Sequence, residues 1–323
     1  MNTIAVDAMG GDSAPVEIIK GAIKAKKSGI NVVLCGDEKL IKPYLGNAEI
    51  PVFHYPEVIS MDDDPMRAIR TKKQSSILGC MKLLSENKVQ AVFSAGSTGA
   101  TLLSAISVLG KQKGVIRPAI ASVLPSIDGG VVLLDSGASL EAKPKVLYQY
   151  AVMGAKLFEI LFDVKNPKVG LLNNGEEESK GRDVEKTAYK LLNASNLNFV
   201  GNVEGRDFAT NKAQVIVTDG FTGNVVLKTM EGTAKLQQKF ITDSLVENLF
   251  KPLLSPVKKA LSPVKDRLNP DKTNASYLLG VNGVVSIGHG SSNEEAVMNG
   301  IIYTFNSLQK EFISKFAEAI KEL

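Results

Sequence analysis

The sequence predicts an α/β fold, a mainly parallel sheet with helices on both faces, and three observations carry that prediction. Short β-rich runs alternate with longer amphipathic stretches along the chain. Several of the runs are apolar at consecutive positions, as strands buried on both sides must be. Glycine-bearing polar segments follow the runs, where ligands gather in sheets of this kind. With 323 residues, 44% hydrophobic and 22% charged, the chain has material for a sizeable core. It is read as one large α/β domain over 1–323 with a helical protrusion at 240–275.

The first run, Thr3 to Val6, leads into Asp7-Ala8-Met9-Gly10-Gly11-Asp12-Ser13-Ala14-Pro15. Gly10 and Gly11 permit close approach of a ligand, and Ser13 or Asp12 suits the cap of a helix beginning near Pro15. Free N–H groups at such a helix start attract phosphate, although an ordinary tight turn has the same composition. Asn31 to Cys35 and Pro51 to His54 are the next runs. Ser60-Met61-Asp62-Asp63-Asp64-Pro65 then opens a helix with acids in its first turn, followed by Arg67, Arg70, Lys72 and Lys73. Those cations form either a solvated basic face or a patch for a phosphate or an acidic protein.

Ala91 to Phe93 runs into Ser94-Ala95-Gly96-Ser97-Thr98-Gly99, and Val131 to Leu134 into Asp135-Ser136-Gly137-Ala138. Val169 to Leu172 runs into Asn173-Asn174-Gly175-Glu176-Glu177-Glu178-Ser179-Lys180-Gly181, and Phe199 to Gly201 follows as a further strand. Val215 to Val217 leads into Thr218-Asp219-Gly220-Phe221-Thr222-Gly223-Asn224, and Gly283 to Ile287 into Gly288-His289-Gly290-Ser291-Ser292. Any one such segment is ordinarily a turn with a helix cap. Their recurrence at strand ends predicts a shared site.

Residues Lys251 to Pro270 differ from the rest, because Leu254-Ser255-Pro256-Val257-Lys258 recurs as Leu261-Ser262-Pro263-Val264-Lys265. Leu254, Val257, Leu261, Val264 and Leu268 follow helical spacing, with Lys258, Lys259, Lys265 and Arg267 supplying positive charge. Pro263 inside the pattern predicts a break or kink, and two short helices are expected rather than one. The segment fits a hairpin packed on its own subunit or on a second copy, and it equally fits a reversible contact with a membrane surface.

Composition narrows the chemistry. A net charge of +4 and scattered aromatics without Trp argue against nucleic acid. Two cysteines, Cys35 and Cys80, in no CxxC pair, suit a reducing cytoplasm and a packing role. His54 and His289 stand outside any HExxH or Cys/His cluster, so no metal site is expected. No signal-peptide pattern and no apolar run of membrane-spanning length is present, so neither secretion by that route nor an integral span is expected. There is no GxSxG elbow and no Walker lysine loop, which leaves a covalent serine mechanism with little support. Gly96-Ser97-Thr98-Gly99 and Gly290-Ser291-Ser292 can each donate to an oxyanion, as chemistry joining phosphate to a polarised carbonyl requires.

Seven stretches together resemble the phosphate acyltransferase (PlsX-type) family of bacterial phospholipid synthesis. They are Ala5 to Asp12, Met61 to Arg70 with Lys72 to Ser76, Ser94 to Ala100, Val169 to Asn173 with Gly175 to Glu178, Gly201 to Asp207, Asp219 to Lys228, and Gly280 to Gly283 with His289 to Ser292, in order over nearly the whole chain. The resemblance implies a three-layer, phosphotransacetylase-like catalytic domain and transfer of a long-chain acyl group from acyl carrier protein to inorganic phosphate, with no cofactor. It also implies a homodimer associated peripherally with the inner face of the cytoplasmic membrane. There its acyl phosphate would feed an integral glycerol-3-phosphate acyltransferase, which favours the membrane reading of Lys251 to Pro270.

On that resemblance and on strand-end position, Gly10, Gly11, Ser97, Thr98 and Gly99 cradle the phosphate, with Lys180 as counter-charge and with Asp12 and Gly96 among the expected substrate contacts. Asn224 and Thr222 hydrogen-bond the thioester oxygen or the carrier arm, and His289 either gives a proton to the departing thiolate or is a structural histidine bonded to a loop carbonyl. Asp7 and Asp219 orient these donors. Asn173, Glu177, Phe221, Gly223, Gly290, Ser291 and Ser292 complete the expected substrate contacts. The chain departs from the family at Ser13, where histidine is common, at Ser97, where asparagine is common, and from Ser136 to Glu141. A nicotinamide dehydrogenase is the rival enzyme reading, but Ala8 to Asp12 lacks its GxGxxG. A lipid- or carrier-binding scaffold without catalysis would keep the basic and amphipathic surfaces alone.

Overall fold

A computed structural model describes residues 2–127, 129–248, 256–257, 259–264, 275–310, 316 and 318. Its strands are β1 (Thr3–Asp7), β2 (Asn31–Gly36), β3 (Val52–His54), β4 (Ala91–Ser94), β5 (Ala119–Leu124), β6 (Val131–Leu134), β7 (Val169–Leu172), β8 (Phe199–Val203), β9 (Val215–Val217), β10 (Ser276–Leu279) and β11 (Val284–Ile287). They form one sheet in the order β3-β2-β1-β4-β11-β10-β5-β6-β9-β7-β8. The helices are α1 (Val16–Lys27), α2 (Glu38–Leu45), α3 (Pro65–Thr71), α4 (Ser76–Ser85), α5 (Thr98–Leu109), α6 (Pro144–Phe162), α7 (Asp183–Asn193), α8 (Gly220–Asn248) and α9 (Glu294–Gln309).

Strand periodicity separates the core into layers. In β1, Ile4 and Val6 pack with α1 residues Ile18 and Ile19, while Ala5 faces the cluster of Cys80 and Met81 from α4. In β6, Val132 and Leu134 join Leu147 and Tyr150 of α6, while Val131 and Leu133 pack on the other side with Leu227 of α8 and with Phe208, which precedes β9. Successive side chains pointing to opposite faces, both covered, are the physical content of a three-layer α/β sheet. Cys35 and Cys80 are buried and free.

The expected strands are all present, and two more appear, β5 and β10, which carry the antiparallel pairings: β10 with β11, β10 with β5, and β5 with β6. The remaining neighbours are parallel. Three successive reversals set β6, β9, β7 and β8 running opposite to β1 to β4 and β11. The strand ends are therefore not on one common edge. A stagger at β5 restores the convergence. Ala119 to Ala121 pair with β10, whereas Ala121 to Leu124 pair with β6. Ile287, the end of β11, stands opposite Ser276 of β10, and Leu134, the end of β6, opposite Ala121, the partner of Tyr277. The carboxyl ends of the two opposed blocks thus fall one residue apart along the ladder, about 3.3 Å.

One local expectation changes. α1 begins at Val16 with Pro15 at its cap, and neither Ser13 nor Asp12 supplies a side-chain cap bond. Pro263 stands within the helical residues 259–264, and 258 and 265–274 lie outside the described residues. There Leu261 is half-buried and Val264 exposed, as Val257 is half-buried at 257. Leu254, Leu268, Lys258, Lys265 and Arg267 lie outside the described residues, and only part of 240–275 falls within them. No helix among the described residues is long and apolar enough to cross a membrane.

Candidate active site

The loops after β1, β4 and β11 meet because glycine lets their backbones touch. A Cβ on Gly10 would lie 2.5 Å from Asp7 Oδ2 and 2.8 Å from Gly96 N, and one on Gly96 would lie 3.1 Å from Gly10 Cα. Gly11, at φ +119°, lies against the carbonyls of Ala95 and Gly290, and Asp12 N donates to Gly290 O at 2.8 Å. Beneath them Asp7 Oδ2 accepts from Ser94 Oγ at 2.7 Å. Burial raises the Asp7 carboxyl above its ordinary pKa, against the hydrogen bonds from Ser76, Ser94 and Met9 that favour the ion. Asp7 therefore braces the two loops from below.

The opposed block makes a second junction. Asp135, after β6, accepts from the amides of Ile120, Gly137, Ala138 and Ser139 and from Ser139 Oγ. Its burial raises its pKa in spite of these bonds. Asp219 caps α8 through Thr222 N at 2.7 Å and accepts from Arg182 Nη2 at 2.6 Å. Burial opposes ionisation of Asp219, but those two partners outweigh it and hold the carboxyl below its usual value.

Between the junctions lies a cleft of about 630 Å³. Gly96, Thr98, His289 and Gly290 line it from one block and Asn224, Lys228 and Glu231 from α8, with Gly137 beside Asn224. Residues 224, 227/228, 231 and 234 recur at helical spacing, so one face of α8 forms a wall. Leu227, Met230 and Ala234 on that wall, with Val123, Leu124 and Ile287, give it an apolar lining. Across the cleft, His289 Nε2 lies 2.7 Å from Glu231 Oε1, Lys228 Nζ lies 3.1 Å from His289 Nδ1, and Lys228 Nζ lies 3.0 Å from Glu231 Oε2. In the neutral ring this arrangement places the proton on Nε2, donated to Glu231, and leaves Nδ1 to accept from Lys228. Burial works against the Glu231 anion, and the hydrogen bonds to His289 and Lys228 overcome it, so the carboxyl stays below its ordinary pKa.

Of the residues expected from sequence, Gly96, Thr98, Asn224, His289 and Gly290 line the cleft. Gly10, Gly11 and Asp12 support its floor from behind Gly96 and Gly290. Ser97 caps α5 by accepting from Ala100 N, and Gly99 lies against Pro65 at the start of α3. Neither Asp7 nor Asp219 lines the cleft: Asp7 lies beneath the first two loops and Asp219 caps α8. Phe221 is exposed, Thr222 and Gly223 form the first turn of α8, and Ser292 is buried beside Ser291 with its amide donating to His289 O. Asn173, Glu177 and Lys180 do not line the cleft. Asn173 Nδ2 donates to Lys180 O and Asn202 Nδ2 to Glu177 O, so the loop after β7 is tied to itself and to β8.

The structure adds Lys228 and Glu231, whose signal in the sequence is their i, i+4 and i+7 spacing from Asn224. Lys228 is the one ammonium lining the cleft among the described residues. Among the same residues no group of His, Cys, Asp and Glu could hold a metal ion.

A sequence model of the family described as "Fatty acid synthesis protein" matches residues 2–315. The chain is 42% identical over 324 residues to a phosphate acyltransferase of Desulfitobacterium hafniense, covering 98% of this chain and 97% of that one. It is 44% identical to a phosphate acyltransferase of Bacillus pumilus, covering 95% and 94%. In structure it is similar to a phosphotransacetylase from Streptococcus pyogenes, with a TM-score of 0.60, 16% identity and coverage of 99% and 94%, a likeness of fold.

Proposed function

Because the chain belongs to the fatty acid synthesis protein family and is an acyltransferase of the phosphate acyltransferase type, we propose that it moves a long-chain acyl group from acyl carrier protein to inorganic phosphate. The observation that carries this reading is the cleft itself, where glycine loops face a Lys-His-Glu cluster over an apolar wall. Phosphate lies against Gly96, Thr98 and Lys228, and the acyl chain follows Leu227, Met230 and Ala234.

Phosphate is largely dianionic near neutral pH, so its attack on the thioester carbonyl needs positioning more than a base. One P–O oxygen forms the new C–O bond as the C–S bond breaks, and the sulfur leaves as a thiolate that takes up one proton. Asn224 and the cleft amides stabilise the oxyanion. When Lys228 turns to phosphate, His289 Nδ1 is released to take the proton that the phosphate loses as the C–O bond forms, and the imidazolium, stabilised by Glu231 at Nε2, passes that proton to the thiolate.

The product, a mixed anhydride carrying a long acyl chain, suits release at the inner face of the cytoplasmic membrane to an integral glycerol-3-phosphate acyltransferase. The amphipathic residues Val257, Leu261 and Val264 fit such a peripheral contact. Exposed Leu236, Phe240 and Ile241 on α8 fit a second copy of the chain in a homodimer. The test is incubation of purified protein with long-chain acyl carrier protein, with and without phosphate, trapping acyl phosphate with hydroxylamine. Thioester loss that does not depend on phosphate would overturn the reading, and no loss in either sample would return the chain to a binding scaffold.

A further inference from the structure

The loop that departs from the usual family pattern at Ser136 contributes to a feature the acyl-transfer chemistry does not use. Three serine hydroxyls from three different elements form a chain along the cleft: Ser136 Oγ lies 2.7 Å from Ser122 Oγ, and Ser122 Oγ lies 2.7 Å from Ser276 Oγ. All three residues line the cleft, and Ser122 and Ser136 are each 4% exposed. The chain has a direction. Ser136 Oγ donates to the carbonyl of Ile120 at 3.1 Å, and a carbonyl can only accept. With its single proton committed, Ser136 accepts from Ser122, and Ser122 in turn accepts from Ser276. Ser276, half-buried at the end of the chain, is left with an acceptor lone pair and no proton to offer.

We propose that Ser276 Oγ accepts a hydrogen bond from a secondary amide N–H of the flexible arm that carries the acyl group, making it a positioning residue for the thioester. This rests on the acyl-carrier reading above. A saturated acyl chain carries no donor, whereas a pantetheine arm carries two secondary amides beside the thioester. The neighbouring Ile120, Ala275 and Ile287 are apolar, so an arm lacking the amide offers the free lone pair of Ser276 no donor in a largely apolar surround, where a hydrogen bond discriminates.

Binding of S-methyl pantetheine, which has no acyl group to transfer, is measured by calorimetry on the full chain. Ser276→Ala is expected to bind it roughly tenfold more weakly than the unaltered protein, Ser276→Thr within about threefold, and a thioether of equal length without amides equally in all three. The KM for acyl carrier protein should rise in Ser276→Ala with kcat little changed. Equal affinity of the unaltered protein and folded Ser276→Ala for S-methyl pantetheine overturns the proposal, as does an absence of pantetheine binding by the unaltered protein. Phosphate-dependent turnover is read separately, so failure of the acyl-phosphate reading and failure of the serine assignment give different results.

Discussion

His289 Nε2 lies 2.7 Å from Glu231 Oε1, a bond that joins the loop after β11 to the wall of α8 and ties the two opposed blocks of the sheet across the cleft. The carboxylate fixes which ring nitrogen carries the proton and stabilises the imidazolium. Glu231→Gln keeps the shape and loses that charge. Turnover of acyl carrier protein is expected to fall about 10²-fold, with the KM for phosphate little altered, in steady-state assays of acyl phosphate formation. Full turnover in a folded Glu231→Gln protein would remove His289 from the proton step.

Lys228 tests a different part of the site. As the ammonium of the cleft lining, it is assigned to the phosphate rather than to the thioester. Lys228→Met is expected to raise the KM for phosphate about tenfold or more and to leave the KM for acyl carrier protein near its original value. The opposite pattern, a selective effect on the carrier protein, would place the phosphate elsewhere.

Gly10 permits the closest approach in the floor. Its Cβ would meet Asp7 Oδ2 at 2.5 Å and Gly96 N at 2.8 Å, both held by the sheet below. Gly10→Ala must push the first loop from the second, at a cost of about 1–3 kcal/mol. Chemical denaturation reads that loss. The KM for phosphate should rise in the same variant, because the cradle opens.

The chemistry-bearing loops were legible in the sequence because each follows an apolar strand with glycine and a hydroxyl, amide or carboxylate. β5 and β10 were not, and the serine chain explains part of the reason: Ser122 and Ser276 interrupt short strands whose polar positions face the cleft rather than water. Missing those strands hid the antiparallel reversals and hence the opposed running of the two blocks. It also gave Lys180 and Asn173 a place beside the phosphate loops, whereas β7 lies beyond β9 from the cleft. Lys228 and Glu231 were obscured for another reason, since charged residues in a long exposed helix look like a solvated face until the facing loop is known.

Asp219 links the start of α8 to stability and pH. Its carboxyl is held below the ordinary value of 3.8 after Thr222 and Arg182 outweigh burial. A lowered folded pKa means that the contribution is present above the unfolded value and disappears as pH falls through the folded one. Asp219→Ala loses the cap, about 1 kcal/mol at neutral pH, while the Arg182 pair adds little because that side chain is 66% exposed. Urea denaturation across pH should show the gap between the two proteins narrowing as acidity increases below the usual carboxylate range. A gap constant with pH would mean that the charge plays no part.

The amphipathic segment offers a test that separates delivery from chemistry. Val257 and Leu261 are half-buried and Val264 is 49% exposed, on helical residues next to exposed Lys259. An apolar stripe with a basic flank binds anionic lipid by burying its apolar side chains while lysine meets the headgroups. Leu261→Glu with Val264→Glu places like charge against that surface and removes the apolar contact together. The doubly substituted protein should lose sedimentation with anionic liposomes yet keep turnover on soluble acyl carrier protein, because neither side chain lines the cleft. Retained liposome binding would instead assign the stripe to protein packing. Loss of turnover along with binding would mean that this segment supports the cleft from outside, and circular dichroism on the same sample distinguishes that from unfolding.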